Sequence, residues 1–338
     1  MKSTRRSFLR GSGLAAAALA FPARRARSDA GEPITVVLPL GFSITFFDAM
    51  NAHSGGHYAR EGLAAKVIGA NTGVQMAQLL VSGQAQFGRG SPPDQIRAVA
   101  AGQAAPISIA TIGQGCAFRV FSHKERPVRE PKDFKGKTVG LNTAASPTEI
   151  YLDVMLAQAG LARSDVQRQV SGGTPGAFEI LKQGRVDCFL STQAVEVALK
   201  RRGEPVLTWN PGRYLPLPGQ TYLAMADTLQ AKPDLAVRFL KAIRSSAEEI
   251  MRGPIAPLLA RAGTDFEIPG NSDLDMQVAI LSAIVTETWL SEGKENFLRN
   301  LPRLWNTGLA ALNAAKIVDL KDASRLYTDT FVEAALKT

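Results

Sequence analysis

Through the first two thirds of the chain, short apolar runs alternate with longer stretches of helical period. Thr35-Val36-Val37-Leu38 predicts a strand, and the helical stretch that follows closes at Gly62-Leu63. Leu79-Leu80 belongs to an apolar helix ended by Gly83, after which Gln84-Ala85-Gln86-Phe87 predicts another strand. Helix starts are marked locally. Ser146-Pro147-Thr148-Glu149 places Ser at the N-cap, Pro at the first helical position and Glu three residues on, a capping box, and Gly160 closes that helix. Thr72 with Gln75, and Ser91-Pro92 with Asp94, predict two more starts. The last third is helical. Leu235, Phe239, Leu240, Ile243, Ala247, Ile250 and Met251 form an apolar face, with Asp234–Arg238 and Arg244–Glu248 set for ion pairs on the other. Further helices are predicted around 273–291, 294–313 and 322–336, bracing the first half of the fold.

The pattern occurs twice. Thr35-Val36-Val37-Leu38 is repeated by Thr138-Val139-Gly140-Leu141, 103 residues later. Gly62-Leu63 is repeated by Gly160-Leu161 at an offset of 98. Leu79-Leu80 to Gly83 and its strand are repeated by Ile180-Leu181 to Gly184, then Arg185-Val186-Asp187-Cys188-Phe189, at an offset of 101. Three matches in one order at a nearly constant offset indicate a duplication. Each copy reads strand, helix, strand, helix, strand, which calls for an α/β lobe with a mainly parallel sheet covered by helices.

The N-terminus changes the charge argument. Lys2, Arg5, Arg6 and Arg10 precede the apolar run Leu14–Phe21, which is too short to span a bilayer. Thr4-Arg5-Arg6-Ser7-Phe8-Leu9-Arg10 resembles a twin-arginine export signal, so residues 1–30 are expected to be a signal peptide cut near Ala30, leaving a periplasmic protein. That segment holds seven of the 39 basic residues and one of the 30 acidic ones, leaving 32 against 29. The basic excess thus belongs mostly to the signal, and a nucleic-acid partner is not expected. The two cysteines, Cys116 and Cys188, sit in apolar surroundings in different halves of the chain and are expected to be unbonded.

Four ordered stretches resemble one known family. They are Tyr58-Ala59-Arg60-Glu61-Gly62-Leu63, Leu79 to Gly88, Asp133-Phe134-Lys135-Gly136-Lys137-Thr138-Val139-Gly140, and Leu181-Lys182-Gln183-Gly184-Arg185-Val186-Asp187. They resemble the periplasmic solute-binding proteins of ABC importers for sulfonates, taurine, nitrate and thiamine-pyrimidine precursors. The resemblance implies a two-lobed periplasmic-binding-protein fold, in which two doubly wound α/β lobes are joined by two crossings and C-terminal helices sit on lobe one. With crossings near Ile112–Phe121 and Gly219–Ala224, lobe one is 31–117 plus 219–338 and lobe two is 118–218. Where the family often carries a Trp-Glu-Pro-like segment, this chain has Ser191-Thr192-Gln193-Ala194-Val195-Glu196.

In open α/β sheets, ligands bind beyond the carboxyl ends of the strands. The candidate ligand-binding residues are therefore Phe42, Ser43, Phe46, Thr72, Gly90, Ser91 and Tyr222 in lobe one, with Asn142, Thr143, Ser146, Thr192, Gln193 and Glu196 in lobe two. Gly173-Thr174 ends another such strand. Helix starts at these loops suit an anionic or strongly hydrogen-bonding group. Phe42, Phe46 and Phe118 would form an apolar wall, Tyr222 would add ring and hydroxyl, and Glu196 would meet an amino group. Arg119 and Arg129 are candidates for docking a permease. His53, His57 and Glu61 are spaced four apart, but Gly55-Gly56 interrupts the helix a metal site would need. No phosphate loop, dinucleotide fingerprint or nucleophile elbow occurs. The expectation is a monomeric binding protein without cofactor or catalytic activity, partnered by a small-molecule ligand and an inner-membrane ABC permease. The alternatives are an enzyme on the same scaffold, resembling the pyrimidine synthases but lacking their cysteine cluster, or a sensor presenting its ligand to a membrane receptor.

Overall fold

The computed structural model describes residues 31–337; the expected export signal and its expected cleavage point lie outside them. Ten strands form two five-stranded sheets among the described residues: β1 (Glu32–Leu38), β2 (Leu63–Gly69), β3 (Phe87–Gly90), β4 (Ile107–Gly113), β5 (Phe118–His123), β6 (Thr138–Leu141), β7 (Gln167–Val170), β8 (Cys188–Thr192), β9 (Val206–Trp209) and β10 (Gln220–Ala224). The first sheet has the order β2-β1-β3-β10-β4, the second β7-β6-β8-β5-β9. In each, the first three strands are parallel, and the fourth returns antiparallel from the other half of the chain.

The predicted duplication is visible down to single hydrogen bonds. Gln86 N donates to Thr35 O while Thr35 N donates to Gln86 Oε1 at 2.8 Å. Asp187 N donates to Thr138 O while Thr138 N donates to Asp187 Oδ2, also at 2.8 Å. A side-chain acceptor just before β3 or β8 thus satisfies the N–H of the threonine on the neighbouring β1 or β6 in both lobes.

Helices cover both faces. The first half contributes α1 (Phe47–Ser54), α2 (His57–Arg60), α3 (Gly73–Val81) and α4 (Pro92–Ala100); the second contributes α5 (Pro147–Gln158), α6 (Gly176–Lys182) and α7 (Gln193–Arg201). The C-terminal third adds α8 (Ala226–Ala231), α9 (Pro233–Arg252), α10 (Ile255–Ala262), α11 (Leu274–Ile284), α12 (Pro302–Ala314) and α13 (Thr330–Leu336). None of the described helices is long and apolar enough to cross a membrane.

The predicted apolar face of α9 is buried on the first sheet, where Phe239 stacks on Phe87 at 4.0 Å and meets Tyr222 edge-on. Each large side chain so buried stabilises the lobe by about 1.5–3 kcal/mol. Its polar face carries the expected pairs, Arg238 with Asp234 and Arg244 with Glu248. α10, α11 and α13 share that core. The brace also reaches further than lobe one. Trp305, Leu309 and Leu312 of α12 share a core with Val120, Leu141 and Tyr151 around the second sheet. The C-terminal third therefore touches both lobes.

The crossings are narrow. β4 ends at Gly113 and β5 starts at Phe118. The second passage precedes 219–224, because 220–224 is itself β10. Gly219 N donates to Gly113 O at 2.7 Å, and a Cβ on Gly219 would lie 2.0 Å from Gly115 O. The two passages run side by side only because Gly219 carries no side chain. Both cysteines are free and buried, yet they share the second core rather than lying in separate lobes. Cys116 precedes the Phe118–Thr192 pair and Cys188 faces Ser122 at the far end of the same ladder.

Candidate functional site

Two spaces lie at the strand ends, one between the lobes and one beside α3 and α4. The inner one encloses about 10 Å³, room for one water, between Thr45, Arg89 and Gln220 on one side and Ala117, Thr192, Gln193 and Ala194 on the other, closed by Ile284, Thr288 and Trp289. The outer one is a groove of about 700 Å³ between α3 and α4, lined by Met76, Val81, Ala98, Ala101 and Leu223. Gly73, Ser91 and Ala145 also border it, so three of the candidate loops converge there. Gly90 leaves room for one wall of that groove, since a Cβ there would lie 2.1 Å from Leu223 Cδ1.

Arg89, which the sequence reading did not single out, dominates the inner compartment. It stands on β3 between Gly88 and Gly90, opposite Tyr222 on β10, and is fully buried. Its Nη1 donates to Asp48 Oδ2 at 3.0 Å, and its guanidinium lies 4.8 Å from the Tyr222 ring centroid and 5.6 Å from that of Phe46. Its Nε and Nη2 have no partner. Burial raises the Asp48 carboxyl above its ordinary range, against the pull of Arg89 and of the Tyr222 hydroxyl.

The candidate residues divide accordingly. Thr192 and Gln193 line the inner compartment and Ser91 the outer one. Ser91 does not cap α4, and its hydroxyl is buried without a partner. Gln193 Nε2 donates to Ala283 O at 3.1 Å while its Oε1 accepts from Thr288 at 2.7 Å, tying lobe two to the C-terminal brace. Phe46 is buried beneath Arg89, and Phe42 leans on Phe266 at 5.0 Å. Ser43 and Thr72 cap their helical turns through their hydroxyls, and Thr143 is exposed. Asn142 N donates to Thr148 Oγ1 at 3.4 Å, but its Oδ1 is unpartnered.

Five readings need correction. Tyr222 does not offer its hydroxyl to the cleft, because it donates to Asp48 deep in lobe one. Phe118 is core, edge-on to Tyr151 at 5.3 Å. Glu196 is not free for an amino group: Arg119, Lys200 and Thr208 surround it, and they hold its carboxyl below the ordinary range although burial alone would raise it. Arg119 is correspondingly no surface docking residue, being buried between Glu196 and Glu287. Ser146 bonds Thr148 at 2.7 Å rather than capping α5, and Glu149 accepts from Ala145 N, one residue earlier than a capping box requires. His57 is bonded to Glu249 at 2.8 Å and His53 to Ala65 O, and no metal-holding group of three or more ligands occurs among the described residues.

No curated protein matches the sequence. Solved structures do. A protein of Bordetella bronchiseptica RB50 superposes with a TM-score of 0.71 at 21% identity, over 90% of this chain and 96% of that one. The periplasmic aliphatic sulphonate binding protein SsuA from Escherichia coli gives 0.67 at 17%, over 89% and 99%. The periplasmic nitrate-binding protein NrtA from Synechocystis PCC 6803 gives 0.66 at 12%, over 91% and 89%. At these identities the likeness establishes the two-lobed binding-protein fold. The family described as NMT1/THI5 like matches residues 45–256, and the chain belongs to that family.

Proposed function

We propose that this protein is the exported solute-binding component of an ABC importer, which captures a small polar molecule between its lobes and presents the closed form to a permease. The observation that carries this reading is the cleft: duplicated strand ends face one another across a cavity whose walls come from both lobes. A ligand spanning it makes contacts that exist only when the lobes are together, so binding shifts the population toward closure. We take 31–117 with 219–338 and 118–218 as the two moving bodies, hinged at the paired passages around Gly115 and Gly219. The neighbours described as periplasmic sulphonate- and nitrate-binding proteins support the periplasmic setting and the transport role. The inward-facing side chains are hydrogen-bonding rather than nucleophilic, which favours capture over catalysis.

A thermal-shift screen of the mature protein against sulfonates, carboxylates, nitrate and pyrimidines tests the reading. A ligand at 100 times its Kd adds about 2.7 kcal/mol of stability. The same ligand is expected to reduce the radius of gyration in X-ray scattering. Stabilisation without compaction would remove hinge closure from the account.

A further inference from the structure

Arg89 presents half a fork to the cleft. Its Nη1 is taken by Asp48, whereas Nε and Nη2, buried and unpartnered, form the side-on edge of the guanidinium. Two parallel N–H groups on that edge match two coplanar oxygens of one oxyanion. A buried donor left without a partner is costly, and a charged one more so, so the site is complete only with an acceptor in place. The next unpartnered atom in the same cavity has the opposite character. Gln220 Oε1 is a buried acceptor without a donor. Gln193, across the cavity, is already committed through both ends of its amide.

We propose that, once the lobes part beyond the one-water space seen here, Arg89 seats the carboxylate of the captured solute and an O–H or N–H group adjacent to that carboxylate donates to Gln220. The solute class is thus a small 2-hydroxy- or 2-amino-carboxylate. A sulfonate fits less well, because its third oxygen has no donor to meet and would face the Gln220 acceptor. This assignment rests on the solute-capture reading and narrows it.

The test uses headgroups alone: glycolate, lactate, acetate, methanesulfonate and nitrate, each titrated calorimetrically into the mature protein, with melting temperature as a second readout. Glycolate and lactate are expected to bind, acetate roughly tenfold more weakly for want of the second hydrogen bond, and methanesulfonate and nitrate weakest of all. Arg89→Lys keeps a cation beside Asp48 but removes the planar fork, and loses glycolate binding by roughly tenfold or more. Gln220→Leu abolishes the preference for glycolate over acetate, a result that stands even if Arg89→Lys fails to fold. Methanesulfonate or nitrate binding as tightly as glycolate, or a Gln220→Leu variant that keeps the preference, overturns the carboxylate assignment and leaves solute capture intact. Silence of these headgroups together with silence of the wider screen overturns both.

Discussion

The third strands of the two lobes, β3 and β8, occupy equivalent places and carry opposite chemistry. Val36 and Val37 pair with Phe87 and Gly88, as Val139 and Gly140 pair with Cys188 and Phe189. One residue further, Arg89 faces Tyr222 on the returning strand, and its counterpart Leu190 faces Val120. Lobe two fills this layer with aliphatic carbon. Lobe one fills it with a buried guanidinium, a carboxylate and a phenol. The same register divides the following helices, since Asp94 in the first turn of α4 corresponds to the buried Val195 in α7. Aliphatic packing satisfies itself, whereas an ion pair buried in a core seldom improves stability over it. At this layer, then, lobe one carries a buried ion pair where lobe two has apolar packing.

The largest expected effect breaks the asymmetry from one side. Asp48→Ala strands Arg89 as a buried charge and should cost about 3–5 kcal/mol in urea unfolding. Asp48→Leu combined with Arg89→Leu, which makes lobe one resemble lobe two, should recover most of that loss while abolishing ligand binding; equal destabilisation by the single and double variants would show that the ion pair is not the source. Gly219→Ala wedges the two passages apart, with an expected cost of about 1–3 kcal/mol and weaker binding through an altered hinge. Glu287→Gln loosens the half-exposed pair with Arg119 that joins the brace to lobe two. Its expected effect on unfolding is about 1 kcal/mol or less, so a larger loss would mark that contact as the principal tie between the lobes.

Asp94 supplies a pH test of the same comparison. Burial pushes its carboxyl up to about 7, offset only in part by Arg97, whereas its ordinary value is 3.8. The folded state then holds a proton that the unfolded state has released, so stability falls as pH rises from about 4 to about 7. Asp94→Asn should therefore be more stable than the parent at pH 8, with the advantage gone at pH 3.5, as read from melting curves; identical curves at both pH values would remove the carboxyl from the account. The smallest effect belongs to the lobe-two core, where both thiols are buried and unbonded. Dithiothreitol should leave the melting temperature unchanged.

Much of this architecture was legible because it is written locally. The offsets near 100 residues, the glycines at Gly83 and Gly184 with positive φ, and the amphipathic face of α9 each depend on residues close in sequence. Capping was less legible: Thr72 caps as expected, but Ser146 turns to Thr148, because a hydroxyl chooses among neighbours that the chain trace alone positions. Thr192 and Gln193, named by the rule that ligands gather beyond strand ends, line the inner compartment. Arg89 was missed although it offers one signal, a charged residue in a strand whose duplicate carries leucine at that place.

What the sequence determined by itself was the alternation of strand and helix in each half and its duplication, since hydrophobic period and turn chemistry act over a few residues. Only the tertiary structure decided which polar groups are spent and which are left for a ligand. Asp48 lies 41 residues from Arg89 and 174 from Tyr222, and the three meet because β10 returns from the other lobe to lie beside β3. Hydrogen-bond satisfaction is a property of such long-range neighbours, and no local pattern encodes it.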